Sequence, residues 1–439
     1  RFESLEKATP ASPSIFHFAK ITALVVLSLV LVTLGINLGV GVQVIKGYPI
    51  HWGLYASLYW FVGAPALLCA VLVVSVHVLS GNRYVGLALS VVILVLTNSA
   101  IGQLLGLSHP LVRFAQFMPG VFSDLNGFGY YPNLFTIKML YSLGLVGTLF
   151  SFHSIFRLGN FRKGNITFIC LWLICAAMTG MYILKHTKTI NQADELHWQQ
   201  AYEEKYRTAY QGVAQPSVTH IQTTIDLYPN EMTYQVSGSY QLVNKTDQVI
   251  REFIVHTWQD IQMQSLRSSN LSQIKMDRAF GQYVIKPAKP LMPKDSFSLH
   301  FTFRYSVNPW NGHNPANAIV QNGSFIRLSN YFPRIGYQSE LEITDESERA
   351  KRTMPAATSI KGLTDAMEQP YPYGFIRWEA LVSAPAEQTV VGIGELVKRY
   401  RKNDRTYFHF DSKRPIPFRF GLSSAVYEVK KTQHDSIAI

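Results

Sequence analysis

ITALVVLSLVLVTLGINLGVGVQVI, residues 21–45, runs through the first part of the chain without a single charged side chain. A helix needs roughly 20 apolar residues to cross about 30 Å of hydrocarbon, so this stretch reads as a transmembrane span. Working outward, residues 53–80, 84–108, 134–156 and 167–184 repeat the pattern, and nothing after about Asn191 does. The expected fold class is a membrane α-helical bundle of about five spans, residues 1–190. A helical stalk, 191–215, and an all-β, saddle- or sandwich-like extracytoplasmic domain, 216–439, follow it.

The formal charge of +12 would point to nucleic acid if it lay on one soluble face. It does not: residues 1–190 carry 12 Lys/Arg against Glu3, Glu6 and Asp124, whereas residues 191–439 carry 28 Lys/Arg against 25 Asp/Glu. The excess belongs to membrane loops, and the lipid bilayer rather than nucleic acid is the expected partner. Basic residues near span ends stay on the cytoplasmic side. That rule places the N-terminus, Arg83 and the Arg157–Arg162–Lys163 cluster inside, and five spans then put the large domain outside. Cys69, Cys170 and Cys175 all fall in the spans, so the outer domain has no disulfide and relies on its core. No cleavable signal sequence is evident. The start at Arg1 and the strand-like ending at Ile439 lead us to expect a piece of a longer polypeptide.

Gly35 and Gly39, and Gly102 and Gly106, have the spacing that lets helix backbones approach in lipid, read here as packing within the bundle. No Asp, Glu or Arg sits deep in a span, so nothing marks a proton relay. Residues 110–131, with the turn Ser123-Asp-Leu-Asn-Gly-Phe-Gly129, read as an outer interfacial or re-entrant piece without a complete calcium loop. In residues 194–210, Tyr202 and Tyr206 lie one turn apart and Glu203 and Arg207 are spaced i, i+4, which suits an amphipathic helix.

Beyond Pro216 the period changes to two. Met232, Tyr234, Val236, Gly238, Tyr240 and Leu242 alternate with polar residues, as do Phe297, Leu299, Phe301, Phe303 and Tyr305. These are half-buried antiparallel strands. Further strands are expected over 219–227, 249–257, 282–285, 374–382, 389–393, 407–410 and 419–429, with turns at Pro229-Asn230, Asn244-Lys-Thr-Asp247 and Pro293-Lys-Asp295. Lys398-Arg-Tyr-Arg-Lys402 with Arg405 reads as a solvated hairpin tip and Gly392-Ile-Gly394 as a strand-end turn. Chemistry is sparse. There is no H-E-x-x-H, no G-x-S-x-G and no phosphate-binding loop. Asn244-Lys-Thr246, Asn270-Leu-Ser272 and Asn322-Gly-Ser324 match glycosylation sequons short enough to arise by chance.

Residues 219–306, with Ile225-Asp-Leu-Tyr-Pro229, Leu242-Val-Asn-Lys-Thr246 and Pro290-Leu-Met-Pro-Lys-Asp-Ser296, resemble the saddle-shaped N-terminal β-domain of zinc aminopeptidases related to membrane alanine aminopeptidase. Asn322-Gly-Ser-Phe325 and Phe332-Pro-Arg-Ile-Gly-Tyr337 resemble a narrower bacterial group in which such a peptidase is fused behind an ABC-type permease. The resemblance implies zinc held by H-E-x-x-H and a later Glu beyond Ile439, so no cofactor and no catalytic residue are expected in this chain. It implies peptide substrates for the longer protein and a separate ATP-binding subunit for any transport. Asn330, Tyr331 and Tyr337 are the candidate substrate-cleft residues. Asp365-Ala-Met-Glu-Gln369 looks like the family's substrate loop but precedes a strand, and is read as coincidence. The alternative is a permease subunit whose outer β-domain binds a ligand or partner and hydrolyses nothing.

Overall fold

The computed structural model describes residues 13–117, 120–156, 163–187, 192–312, 314–358, 374–430, 433–434 and 437–438. The chain forms two compact units. The first is helical: α1 (Pro13–Ile45), α2 (Trp52–Ser80), α3 (Arg83–Asn98), α4 (Ala100–Leu104), α5 (Tyr131–Phe156) and α6 (Lys163–His186). Among the described residues four helices are long and apolar enough to cross a membrane, within α1, α2, α5 and α6. The five-span expectation is therefore corrected to four. The run 84–108 breaks because Ser99 ends α3 and its side chain accepts the Ile101 N–H at 3.2 Å to cap α4. At 16 residues α3 is about 24 Å long, short of the roughly 30 Å required.

In α1, side chains on every face, from Val26 and Leu31 to Leu38 and Val42, are exposed, as suits a helix solvated by lipid. A π-helical turn, Tyr59–Gly63, interrupts α2. It presents Phe61 to Tyr131 and Phe135 of α5, with ring centroids 5.1 and 5.2 Å apart. The close helix seam is α5 on α6 rather than at the glycine pairs read from sequence. A Cβ on Gly144 would meet the Ala176 nitrogen at 2.8 Å, and one on Gly147 the Trp172 ring at 2.5 Å. Gly35 has nothing within 4 Å, Gly39 lies against Tyr55, Gly106 closes a turn at φ +83°, and Gly102 is tight against the end of the preceding α3 rather than a second span, a Cβ there meeting Leu96 O at 1.8 Å.

The second unit is all-β apart from short helices and α7 (Gln192–Tyr210). Its main sheet has the order β13-β14-β11-β1-β2-β7-β4, with β15 (Ile416–Pro417) also pairing β11. The strands are β1 (Ser217–Tyr228), β2 (Thr233–Val243), β4 (Ile261–Arg267), β7 (Ser296–Ser306), β11 (Phe375–Pro385), β13 (Glu395–Lys402) and β14 (Arg405–Asp411). Smaller sheets are β10-β3-β6-β5, from β3 (Phe253–His256), β5 (Leu271–Asp277), β6 (Gln282–Pro287) and β10 (Arg334–Ile335), and β12-β16-β9-β8. The last of these is built from β8 (Asn317–Ala318), β9 (Ser324–Ile326), β12 (Thr389–Gly392) and β16 (Leu422–Ala425).

The two alternating stretches pair with each other, Tyr234 opposite Tyr305 and Tyr240 opposite Leu299, with all of their apolar set except half-buried Met232 and Gly238 buried. Each such side chain contributes about 1.5–3 kcal/mol of burial. Gly238 is required where it is: a Cβ there would lie 2.7 Å from the Phe301 ring folded over it. β1 and β11 run parallel rather than antiparallel, which their long connection permits. Strands β4 and β5 escape the sequence reading. A bulge between Met263 and Ser265 breaks the period of β4, and β5 buries none of its residues fully. Asn244 is a buried structural side chain, its amide donating to Gln248 O at 2.7 Å and Leu291 O at 3.0 Å. The basic run forms the exposed β13, the tip itself being Asn403-Asp404, and Gly392-Ile-Gly394 ends β12 with Gly394 at φ +97°.

Candidate functional site

The segment 330–337 divides between two neighbourhoods. Leu328–Asn330 is a single 3-10 turn that delivers Tyr331 into the main core, with its ring 5.2 Å from Tyr305 and its hydroxyl accepting from Asn314 Nδ2 at 2.9 Å. Phe332 is fully buried, Pro333 O accepts the Tyr240 hydroxyl at 2.9 Å, and Arg334–Ile335 pairs with β3. Tyr337 emerges beyond Gly336, at φ +86°, and stacks on Tyr202 of α7 with centroids 5.5 Å apart. Its hydroxyl donates to Glu342 Oε1 at 3.0 Å, and burial, then the Glu342 charge, raises its pKa. Asn330 is half-buried and its side chain bonds nothing among the described residues. Asp365 to Gln369 lie outside the described residues.

Sequence spacing paired Glu203 with Arg207, and the structure adds partners more than a hundred residues away. Arg349, from the short helix α8 (Glu346–Lys351), donates Nη1 to Glu203 Oε1 and Nη2 to Oε2, each at 2.9 Å. The Ile343 N–H completes the site at 2.8 Å, and both side chains are buried. Arg207 bridges Glu203 at 3.3 Å and Glu342 at 3.9 Å. Helix α7 is thereby fixed to the β-unit by charge as well as by Tyr202 and Tyr206. In the helical unit, Lys138 is fully buried and donates to Pro110 O, and Arg113 donates to Ser99 O at 2.8 Å. No Asp or Glu occurs among that unit's described residues, so backbone carbonyls are the acceptors for both side chains. With Tyr141 Oη to Leu111 O at 3.2 Å and Ala115 N to Ser142 Oγ at 3.0 Å, the Lys138 contact ties the segment 110–115 to α5, while Arg113 holds it to Ser99.

The outward face of the main sheet carries an open groove of about 900 Å³. It follows from strand alternation: β2 and β7 send their aromatic residues to the core and leave Ser237, Ser239, His300 and Thr302 on the other face. Glu379 accepts from Gln222 Nε2 at 3.0 Å and lies 2.9 Å from His409 Nε2. The Gln222 amide first, and then the His409 contact, hold its carboxyl below the usual range against partial desolvation. Asn330, Tyr331 and Tyr337 do not line this groove.

Among the described residues no three His, Cys, Asp or Glu side chains come together to hold a metal, so no step is assigned to zinc here. No family model and no curated protein matches the chain. Among solved structures it is weakly similar to an M1 zinc metallopeptidase from Deinococcus radiodurans, with a TM-score of 0.34 and 11% identity over 52% of this chain and 47% of that one. A mutant of that enzyme bound to a Tyr-Ser-Ala substrate gives a TM-score of 0.34 and 12% identity over 51% of this chain and 46% of that one. The chain thus spans about half the length of the structures it matches.

Proposed function

We propose that this chain is the membrane-embedded, noncatalytic part of a permease-like protein fused to a zinc aminopeptidase, with the β-unit outside the cytoplasmic membrane. One observation supports the reading most directly: Phe332-Pro-Arg-Ile-Gly-Tyr337, a motif of the resemblance, joins the main core, the β3 sheet and α7. The motif therefore serves as scaffold here. In this reading the zinc ligands and the general base lie in sequence beyond Ile439, peptides are the substrate, and ATP hydrolysis for any transport comes from a separate subunit. In this reading Asn330, whose amide bonds nothing among the described residues, is the member of the 330–337 segment free to meet substrate, Tyr331 anchors it in the core, and Tyr337 is a scaffold residue against α7.

The test compares this 439-residue chain with its full natural reading frame for bound zinc and for hydrolysis of aminoacyl reporter peptides. Zinc and activity in the long form alone are expected, with Asn330→Ala lowering that activity at unchanged melting. A long form without either would sink the peptidase reading and leave a permease-type subunit with an outer binding domain.

A further inference from the structure

The registers of the main sheet align its outward side chains into two polar rows across the strands. One runs Asp411, Glu379, Gln222, Ser239, His300, Arg267, each the direct cross-strand partner of the next. The other runs Lys398, His409, Leu381, Thr224, Ser237, Thr302, Ser265. The second row crosses all seven strands, a width of about 29 Å at the usual strand spacing.

Three properties define what fits. The floor is hydroxylic, and Thr224, Ser239, Ser265, Arg267 and His300 spend no side-chain hydrogen bond or ion pair on another described residue. Among the described lining residues Glu379 is the one carboxylate, already engaged by Gln222 and His409, and Asp411 at the end of its row pairs with Arg377 at 3.2 Å, whereas Arg267 at one end and Lys398 at the other have no acidic partner among the described residues. At the Lys398 end an aromatic platform stands ready: Tyr400 and Tyr407 stack with centroids 5.1 Å apart, and Lys398 Nζ lies 5.3 Å from the Tyr400 centroid. Such a face suits an anionic ligand rich in hydroxyls and long enough to meet both ends. A single phosphate would meet one cation only. An extended peptide finds no unpaired backbone in the floor on which to add a strand, since the interior strands are paired on both sides.

We propose that this groove binds an acidic oligosaccharide, a chain of uronic acid residues laid across the strands. Its carboxylates would meet Arg267 and Lys398, its hydroxyls the Ser/Thr floor, and one sugar face the Tyr400 ring. The site is independent of the peptidase reading, because every residue it uses is in this chain.

The experiment titrates the full chain in nanodiscs with oligogalacturonate, a neutral cello-oligosaccharide of equal length, and poly-L-glutamate, by calorimetry. Oligogalacturonate is expected to bind, and the other two about tenfold or more weakly. Arg267→Ala and Lys398→Ala should each weaken binding about tenfold, the loss expected for one charge-assisted contact, with unchanged melting. Ser239→Ala should weaken the sugar without altering residual poly-L-glutamate binding. Equal binding of poly-L-glutamate would replace the sugar by an acidic peptide and overturn the proposal. Absent oligogalacturonate binding, or binding indifferent to all three substitutions, would overturn it as well.

Discussion

His256 is buried, accepts from Gln282 Nε2 at its Nδ1 at 3.0 Å, and is held near pKa 4 by burial first and the Arg334 charge second. Between the ordinary value of 6.5 and about 4, the unfolded chain binds a proton that the folded one refuses. The stability this group preserves is complete above pH 6.5 and is lost as pH falls through that window, by about 3 kcal/mol in all. Urea midpoints of the β-unit at pH 7 and 4.5 should fall less in His256→Gln than in the parent, and superimposable profiles would refute the assignment. Arg349 makes a different case. Arg349→Met removes the bidentate partner of buried Glu203, leaving it only Arg207 at 3.3 Å and the Ile343 N–H, and should cost about 3 kcal/mol, whereas the double replacement Glu203→Gln/Arg349→Met should recover part of it. Equal melting losses in the single and double variants would rule out that explanation. Only half of this site was legible in the sequence. The i, i+4 spacing exposes Glu203 and Arg207, but a partner reached through tertiary folding, like Arg349, leaves no local periodicity.

At the scale of elements, legibility followed burial on one face. Strands β2 and β7 announce themselves because every second residue enters the core, while β4 is bulged, β5 is half-solvated and β13 is exposed along its whole length. Helix spacing misled for a similar reason. The small-residue rule identifies which residues permit close approach, and three-dimensional packing selects among them. Gly147→Leu should therefore part α5 from α6, costing about 1–3 kcal/mol as overpacking and lowering the melting temperature in detergent. Gly35→Leu, with open space around it, should leave melting where it was. A reversed order would show that the seam lies on α1.

For the whole molecule, sidedness rests on the last two spans. Residues Phe122–Gly129 precede α5 and belong to the β-unit, where Asn322 donates its backbone N–H to Asn126 Oδ1 at 3.2 Å and its Nδ2 to Leu125 O at 2.8 Å. The chain leaves this unit into α5 and returns to it after α6, so two successive spans here would begin and end on the same side of a membrane. In the proposed orientation the basic residues Arg157, Arg162 and Lys163, which fall between the two spans in sequence, are kept in the cytoplasm and the β-unit lies outside. With four spans rather than five, the proposed orientation would also put the start of α1 on the outer side, against the pull of Lys20, together with α3 and α4. Single cysteines in a background lacking Cys69, Cys170 and Cys175 decide this. Asn82→Cys and Asn270→Cys should react with a membrane-impermeant maleimide from outside, and Arg162→Cys only after the membrane is opened. Protection of Asn82→Cys alongside labelling of Asn270→Cys would mean that α3 crosses after all. Labelling of Arg162→Cys from outside would invert the whole chain and place the groove, with any acidic sugar it binds, in the cytoplasm.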